Sequence, residues 1–312
     1  MDSPHTPVLV EEVVKHLVHL PEGTYVDGTA GAGGHSEAIL KKLAGKGRLI
    51  CLDRDPEAVH LSRMRLAAFN NVCVIRANFA DLTEVLQDLN LKSVEGVLLD
   101  LGMSSYQLEK SGRGFSFSRG EPLDMRMNPE NKVTARHLVN ELAAQDLEEI
   151  LRDYGEEKRA RSIVKAIVHA REKDPIETAS RLAAVIEAAY PRPRQRRFRH
   201  PATKTFQALR ISVNRELQSL DTFLDRIPSL LSTGGRLVVL SYHSLEDRRV
   251  KQAMVGWEQT CTCPPDFPRC VCGKVPVFRR LFRKGLKPGQ KELENNPRAR
   301  SAVMRAAERV TP

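Results

Sequence analysis

The chain has 312 residues, of which 41% are hydrophobic, and its formal net charge is +10 at pH 7. That length is enough for one large domain or two smaller ones, and the apolar fraction is typical of a folded globular protein. No apolar run approaches the roughly 20 residues of a membrane-spanning helix. The N-terminal residues lack the basic and apolar regions of a signal peptide, so we expect a cytoplasmic protein without a membrane partner.

Strand and helix signals alternate through the first third of the chain. Short apolar runs separated by helical segments are typical of a parallel, doubly wound α/β sheet. Asp55-Pro56 is a helix start, with the aspartate as N-cap and the proline at the first helical position. The strands that we expect here are Tyr25–Asp27, Arg48–Asp53, Val72–Ile75 and Gly96–Asp100.

This alternation stops after the fourth strand. Residues 104–131 show no clear period, and residues 134–189 carry a helical apolar stripe. We expect one long helix over residues 205–227, followed by a fifth strand that ends at Ser241. The C-terminal runs Val275–Phe282 and Ser301–Val310 could pair as the last two strands. The sequence therefore predicts a mainly helical segment inserted into an α/β sheet.

A glycine-rich turn, Gly28–Gly34, follows the first strand and precedes the first helix of the α/β region. Asp27 stands directly before this turn, and Asp53 ends the next strand. A strand, a glycine turn and a helix start form a nucleotide-binding corner. The turn misses the dinucleotide fingerprint, because Ser36 stands where the third glycine belongs.

The two carboxylates beside this turn indicate the kind of ligand. Asp27 would repel a pyrophosphate at short range but attract a cationic amino group. Asp53 can accept hydrogen bonds from both hydroxyl groups of a ribose. S-adenosylmethionine has the ribose and the ammonium group and lacks the phosphates, so the corner favours this cofactor. A tight turn without a ligand and an NAD-dependent oxidoreductase are the alternatives.

Two segments of the chain carry positive charge without any acidic residue, Ala188–Arg215 and Phe267–Lys291. Tracts that carry only positive charge suit a polyphosphate partner, and the arginines of the first tract suit bidentate phosphate contacts. We therefore expect a nucleic acid as partner; the alternative is a solvated basic loop. The side chains that we expect to bind phosphates or to stack on bases are Arg194, Arg196, Arg197, Phe198, His200 and Phe206.

Four of the six cysteines lie in one proline-rich segment. Four thiolates this close in the sequence could hold a structural, tetrahedral zinc ion. The C-x-C spacing is less usual for zinc than C-x-x-C, and reduced thiols without a metal are the alternative in a cytosolic chain. The four residues are Cys261, Cys263, Cys270 and Cys272.

Several polar residues should converge at one edge of the predicted sheet, because ligands of open α/β sheets bind beyond the carboxyl ends of the strands. Asp100 ends the fourth strand, where it could bind the amino-acid end of the cofactor, accept a hydrogen bond from an attacking amine, or cap the following turn. Tyr242 and His243 follow the fifth strand and are candidates to bind the substrate. His243 could also move a proton.

These motifs resemble those of a known family, the bacterial ribosomal RNA small subunit methyltransferases H, which are 16S rRNA cytosine-N4 methyltransferases. The resemblance covers nearly the whole chain. It rests on residues 5–9, 27–29, 33–35, 53–55, 99–105, 107, 112–117, 122–127, 205–210 and 241–248.

The resemblance implies that the chain methylates the exocyclic N4 of a cytosine in 16S rRNA of the small ribosomal subunit, with S-adenosylmethionine as cofactor. It also implies a role for individual residues. Gly33, Gly34 and His35 would wrap the cofactor, Asp53 would bind its ribose, Phe79 would flank its adenine, and Asp100 and Gln107 would contact its methionine end.

We therefore predict a Rossmann-like class I S-adenosylmethionine methyltransferase sheet with an inserted, mainly helical domain. The methyltransferase domain comprises residues 1–108 and 205–312, and the inserted RNA-binding domain comprises residues 109–204. A methyltransferase of DNA or of a small molecule is one rival, and an RNA-binding assembly factor with an adenosyl sensor is another. The sequence leaves open whether the substrate is naked rRNA or an assembled subunit, and whether the protein is a monomer or a homodimer.

Overall fold

The structure is a computed structural model, and it describes residues 7–190, 200–261, 263 and 272–311. Its strands are β1 (Thr24–Asp27), β2 (Arg48–Asp53), β3 (Val72–Arg76), β4 (Val94–Asp100), β5 (Leu231–Ser241), β6 (Phe278–Arg280) and β7 (Val303–Arg309). The helices of the first part are α1 (Val10–Leu17), α2 (Gly34–Leu43), α3 (Pro56–Arg65), α4 (Leu82–Asp88) and α5 (Ser105–Glu109). The remaining helices are α6 (Ala135–Glu141), α7 (Ala144–Gly155), α8 (Ala160–Lys173), α9 (Ala179–Ala188), α10 (Thr203–Asn214), α11 (Glu216–Leu230), α12 (Ser244–Glu258) and α13 (Gln290–Asn295).

The strands form one seven-stranded sheet in the order β3-β2-β1-β4-β5-β7-β6. β1 to β5 are mutually parallel, and β7 runs antiparallel to both of its neighbours. The strand order reverses between β1 and β4, which is the position where doubly wound sheets bind their ligands. The predictions of a parallel, doubly wound α/β sheet and of a C-terminal strand pair are both confirmed.

Alternate side chains of each central strand enter one of two apolar cores, because successive residues of a strand face opposite sides of the sheet. Val26, Ile50 and Leu99 pack with α4, α11 and α12 on one face. Leu49 and Leu98 pack with α1 and α2 on the other face. The sheet is therefore covered on both sides, which explains why its strands read as nearly continuous apolar runs.

The chain divides into two compact units. The first comprises the residues up to Gly102 together with those from Leu217 onward, and the second is Met103–Glu216. These boundaries differ from the predicted insertion of residues 109–204, because α10 packs against α7 within the second unit. At Gly155 the two helices are so close that a Cβ atom would lie 2.8 Å from the Lys204 carbonyl oxygen.

The long helix predicted over residues 205–227 is two helices, α10 and α11. They are separated at Arg215, which takes a left-handed conformation with φ of 48°. Arg210 and Glu216 flank this break and form a buried, bidentate ion pair with N–O distances of 2.9 and 2.7 Å. The prediction of one continuous helix is therefore wrong, since periodicity alone does not reveal a single left-handed residue.

The second unit has an apolar core of its own, built by α6 to α10 and by side chains from the irregular segment that precedes α6. Its helical content agrees with the helical stripe of residues 134–189. Among the described residues of both units, no helix is long and apolar enough to cross a membrane.

Candidate active site

Four polar residues stand at the carboxyl ends of four adjacent strands. Asp53 ends β2, Asp27 ends β1, Asp100 ends β4 and Ser241 ends β5. Because these strands are parallel neighbours, their carboxyl ends lie along one edge of the sheet. The sequence prediction that these residues share one edge is thus consistent with the observed topology.

Tight packing at its glycines shapes the turn after β1. A Cβ atom at Gly28 would lie 2.6 Å from Leu99 Cδ2 and 3.1 Å from Phe79 Cβ. Gly33 has a φ of 79° and is the N-cap of α2, a conformation that side chains rarely adopt. Glycine at position 28 therefore lets the turn pack closely against Leu99 and Phe79.

Asp53 is a desolvated carboxylate beside the glycine turn. Its two oxygens accept hydrogen bonds from the backbone N–H groups of Gly31 and Asp55, both at 2.9 Å. Burial raises the pKa of Asp53 to about 6, although both hydrogen bonds act in the opposite direction. A charged carboxylate held in this way is well suited to accept further hydrogen bonds from ligand hydroxyl groups.

Asp27 lies beneath the turn rather than in it. Its side chain is 1% exposed, and burial raises its pKa. Its carboxylate accepts hydrogen bonds from the Ser36 hydroxyl at 2.6 Å and from the Thr29 N–H at 3.2 Å. The carboxylate therefore joins the turn to the first residues of α2, whereas the sequence analysis expected it to meet the cationic end of a ligand directly.

Three side chains of the first unit hold Asp100. The Tyr242 hydroxyl donates to Asp100 Oδ1 at 2.7 Å, and His35 Nδ1 lies 3.4 Å from Oδ2. The backbone N–H of Asp100 donates to the Thr29 hydroxyl oxygen at 2.6 Å. The carboxylate remains 24% exposed, so it is oriented by the protein and still accessible.

His35 lies between a carbonyl group and a carboxylate. Its Nε2 is 2.8 Å from the carbonyl oxygen of Val8, which requires a proton on that nitrogen. If the ring were neutral, its single proton would be on Nε2, and the unprotonated Nδ1 would direct its lone pair at the Asp100 carboxylate. Burial lowers the pKa of His35, but the hydrogen bond and the charge of Asp100 outweigh this effect, and the net shift is upward. The ring of His35 therefore links the Val8 carbonyl group to the Asp100 carboxylate.

Tyr242 was expected to bind the substrate, but its hydroxyl is engaged by Asp100 within the protein. Its ring packs against Gly102, where a Cβ atom would lie 3.1 Å from Tyr242 Cδ2. Burial and the adjacent Asp100 carboxylate raise the pKa of Tyr242, so the phenol keeps its proton and acts as a donor. The structure places Tyr242 as a residue that positions Asp100.

His243 is the residue that precedes α12. Its Nε2 lies 3.0 Å from Glu246 Oε1, and the other oxygen of Glu246 accepts the N–H of Tyr242 at 2.9 Å. Glu246 therefore closes the first turn of the helix onto the end of β5. These contacts favour a structural role for His243 in this turn over its predicted role in binding the substrate.

Two further residues were expected near the cofactor. Phe79 is 8% exposed, lies beside Gly28 and contacts Phe223 edge to face, with ring centroids 5.7 Å apart. Gln107 belongs to the second unit, where its side-chain oxygen accepts the N–H of Ser104 at 3.1 Å in a capping box at the start of α5. The amide of Gln107 therefore helps to fix the chain that follows β4.

Sequence reasoning missed the role of Thr29. Its hydroxyl oxygen connects the glycine turn to the end of β4, two segments that are distant in sequence. A threonine directly after a glycine at a strand end was the only signal, and that signal does not identify its partner. Likewise, the pairing of His35 with Asp100 depends on the strand order, which brings β1 beside β4.

Parts of the basic tracts differ from expectation. Arg194, Arg196, Arg197, Phe198 and Cys270 lie outside the described residues. Phe206 is 5% exposed within the core of the second unit, so the prediction that it stacks on bases is wrong. Arg210 is consumed by its ion pair with Glu216, while the exposed cations of the second tract include Lys284 and Lys287.

His200 stacks on Phe117 within the second unit, with ring centroids 4.2 Å apart and an angle of 18° between the ring planes. Its Nε2 lies 2.7 Å from Glu187 Oε1. The ring is therefore already stacked on a residue of the protein, and one face of it at most remains for a base.

The raised pKa of Asp53 has a consequence for stability. Its folded-state pKa of about 6 exceeds the usual value of 3.8, so the folded protein binds the proton more tightly than the unfolded chain does. The contribution of Asp53 to stability should therefore decrease by about 3 kcal/mol as the pH rises from about 4 to about 6, and stay constant above that. Urea denaturation of the ligand-free protein and of Asp53→Asn across this range measures the difference. Parallel stability curves would contradict the proposed desolvation.

Comparison with known proteins shows the family to which the chain belongs. Relatives named "Ribosomal RNA small subunit methyltransferase H" include those of Heliobacterium modesticaldum, 46% identical with 98% of each chain covered, and Caldicellulosiruptor bescii, 45% identical with 98% of this chain and 99% of the relative covered. The relative from Clostridium botulinum (strain Kyoto / Type A2) is 44% identical, with 99% of this chain and all of the relative covered. The predictions of a methyltransferase and of S-adenosylmethionine as its cofactor are thereby confirmed. The family description "MraW methylase family" matches residues 2–310, and the chain belongs to this family.

Proposed function

We propose that this protein transfers a methyl group from S-adenosylmethionine to the exocyclic N4 of a cytosine in 16S rRNA of the small ribosomal subunit. One observation carries the proposal: the carboxylates of Asp53 and Asp100 stand at the ends of β2 and β4, on either side of the glycine turn that follows β1. Family membership supplies the reaction class, and the names of the relatives supply the substrate class.

The residues at the turn fit an adenosyl cofactor. Asp53 has a raised pKa because its charge is poorly solvated, and two ribose hydroxyl groups would supply the missing hydrogen bonds. Gly28, Gly33 and Gly34 would let the backbone approach the adenosine, with Phe79 at its side. These residues carry no basic side chain that would recognise a phosphate, which agrees with a cofactor that has none.

S-adenosylmethionine supplies a methyl group that its positive sulfur already activates. The protein must therefore align donor and acceptor and receive one proton. Cytosine N4 is a poor nucleophile, because its lone pair is delocalised into the ring. A hydrogen bond from N4–H to a carboxylate would concentrate electron density on the nitrogen, and Asp100 is the carboxylate placed to accept it.

The environment of Asp100 fits this role. Each carboxylate oxygen has two lone pairs, so Asp100 can accept a further hydrogen bond while Tyr242 and His35 hold it. The contacts with His35 and Tyr242 fix the orientation of the carboxylate beside the glycine turn. Asp100 therefore polarises the N4–H bond first and receives the proton once methylation has made the nitrogen acidic.

The other site residues support this arrangement indirectly. Asp27 adds negative charge beneath the turn, which favours a cofactor with a cationic amino group. The inserted unit with its basic tract helps to bind rRNA. The protein acts in the cytoplasm, where its substrate is made.

The modification itself tests the function most directly. Cells that lack the gene should lose one methyl group from one cytosine of 16S rRNA, because the proposed reaction adds one methyl group to the N4 of that base. Mass spectrometry of nuclease digests, with the wild-type gene returned on a plasmid as control, measures the loss. An unchanged digest would reject the proposed substrate, and a methyl group missing from DNA instead would support the rival enzyme class.

Asp100→Asn tests the proposed proton acceptor. The neutral amide keeps the size of the side chain but accepts hydrogen bonds less strongly, so the single-turnover rate at saturating cofactor should decrease by about 10²- to 10⁴-fold. Cofactor affinity is measured separately by calorimetry, because Asp100 also borders the cofactor site. Asp225→Asn, which changes an exposed carboxylate on α11, is the matched control.

A second substitution separates positioning from proton acceptance. Tyr242→Phe leaves the Asp100 carboxylate in place and removes only its phenol donor, so the rate should decrease by roughly tenfold, the effect of one hydrogen bond. If Asp100→Asn turned over at the wild-type rate with unchanged cofactor affinity, the assignment of Asp100 would be incorrect.

The basic tract is tested by the salt dependence of RNA binding. Replacing Arg194, Arg196 and Arg197 by glutamine should weaken binding to small ribosomal subunits and lower the slope of log K against log salt by about 0.7 for each arginine that binds a phosphate. The matched control removes the same charge from three exposed lysines elsewhere in the chain, Lys42, Lys46 and Lys92. Equal slopes for the two triple variants would show that the tract makes no specific interaction with RNA.

A further inference from the structure

Three cysteines that the methyltransferase site does not use converge in the segment between α12 and β6. The sulfur atoms of Cys261, Cys263 and Cys272 all lie within 4.8 Å of one another. A hydrogen bond joins the two ends of this segment, because the N–H of Val277 donates to the Trp257 carbonyl at 2.8 Å. Cys261 and Cys263 follow α12 and Cys272 precedes β6, so the three cysteines lie between two residues that are hydrogen-bonded to each other.

The sulfur spacing fits a shared metal ion better than a covalent bond. The Sγ atoms of Cys261 and Cys272 are 3.9 Å apart. A disulfide would require about 2.05 Å. Two thiolates bound to one tetrahedral zinc ion at about 2.3 Å each lie about 3.8 Å apart. The observed separation is that of a thiol–thiol hydrogen bond, and it also matches the spacing of two ligands of one ion.

Packing does not explain these residues. Cysteine is among the most buried residue types, yet Cys261 and Cys272 are both exposed. By contrast, Cys51 is fully buried in the sheet, where it contributes to the apolar core. An apolar core does not account for the proximity of these exposed thiols, whereas a shared metal ion would.

The local backbone also favours thiolate ligands. The N–H of Cys263 donates to Cys261 Sγ at 3.3 Å, which stabilises negative charge on that sulfur. Gly273 follows Cys272 directly with a φ of 59°, and this left-handed turn reverses the chain after the sulfur ligand. Lys274 adds a positive charge to the same turn, with its Nζ 3.3 Å from the Gly256 carbonyl oxygen.

We propose that Cys261, Cys263 and Cys272 bind one structural zinc ion that closes the loop between α12 and β6. Each thiol releases its proton to solvent when it binds, and no oxidation takes place. The sequence offers Cys270 as a further thiol, but Cys270 lies outside the described residues, and the proposal rests on the other three. Zinc is favoured over harder cations because thiolate sulfur is a soft ligand. The ion would stabilise the loop and take no part in methyl transfer.

Metal analysis of the purified full-length protein tests this proposal. After expression with added zinc and removal of loosely bound metal, elemental mass spectrometry should find about one zinc per chain, because the three thiolates would share one ion. The double variant Cys261→Ser/Cys272→Ser should retain less than about a tenth of that metal, because two thiolate ligands are removed. Cys73→Ser, on β3 at the opposite edge of the sheet from β6, is the matched control and should retain its zinc.

Cobalt binding to the wild-type protein gives a readout that does not depend on how well a variant folds. Metal-free protein titrated with Co²⁺ should develop the intense thiolate-to-cobalt absorption of a tetrahedral site, and one equivalent of Zn²⁺ should abolish it. A wild-type protein that holds no zinc and develops no such absorption would overturn the proposal. Zinc that is unchanged in the double variant, or iron in place of zinc, would overturn it as well.

Discussion

The pairing of His35 with Asp100 is the interaction on which the geometry of the site depends. His35 belongs to the first turn of α2, and its ring joins the Val8 carbonyl on one side to the carboxylate at the end of β4 on the other. It thereby ties the segment before α1, the glycine turn and the fourth strand into one unit. A charged ring can make both contacts at once, whereas either neutral tautomer would leave one of them unsatisfied.

The contact between His35 and Asp100 also lies among several carboxylates at the strand ends. Asp27, Asp53 and Asp100 bring three carboxylates to neighbouring strand ends, and burial raises the pKa values of the first two. His35 and backbone N–H groups contact these carboxylates, and the charge of Arg54 acts on Asp53. Three carboxylates at neighbouring strand ends are a reason for such a site to prefer a cationic ligand over a phosphate.

The sequence predicts the sheet well because strand identity is encoded locally. The four apolar runs, the glycine turn and the acidic residue at each strand end all depend on neighbours within a few positions. The partners of those residues do not. Tyr242 and Asp100 are separated by 142 positions, and only the order of the strands brings them together. Sequence reasoning therefore assigned Tyr242 to the substrate, whereas the Tyr242 hydroxyl donates to Asp100 in the structure.

The basic tracts show a different limit of sequence reasoning. Counting charges treats every arginine as exposed. Arg210, however, is buried on α10, where it pairs with Glu216. Phe206 is buried on the same helix and packs in the core. A helix that is apolar on much of its circumference shows no clear apolar stripe in its sequence. Its buried arginines therefore cannot be distinguished from its exposed ones by sequence pattern. Arg279 and Arg280 are likewise engaged, with Glu308 and Glu258. The cations left for phosphate are fewer than the net charge suggests.

In the irregular segment that precedes α6, motif residues take part in hydrogen bonds to the protein backbone. Their presence can therefore be explained without a role in catalysis. Buried backbone outside helices and strands must find hydrogen-bond partners elsewhere. Arg113 donates to the carbonyl oxygens of Arg126 and Met127, and the Asn214 side chain accepts from the Met127 N–H and donates to the Met125 carbonyl. Met125 itself takes a left-handed φ of 60°, which these contacts hold in place. Residues 112–117 and 122–127, which helped to carry the family resemblance, thus support the inserted unit by satisfying its own backbone.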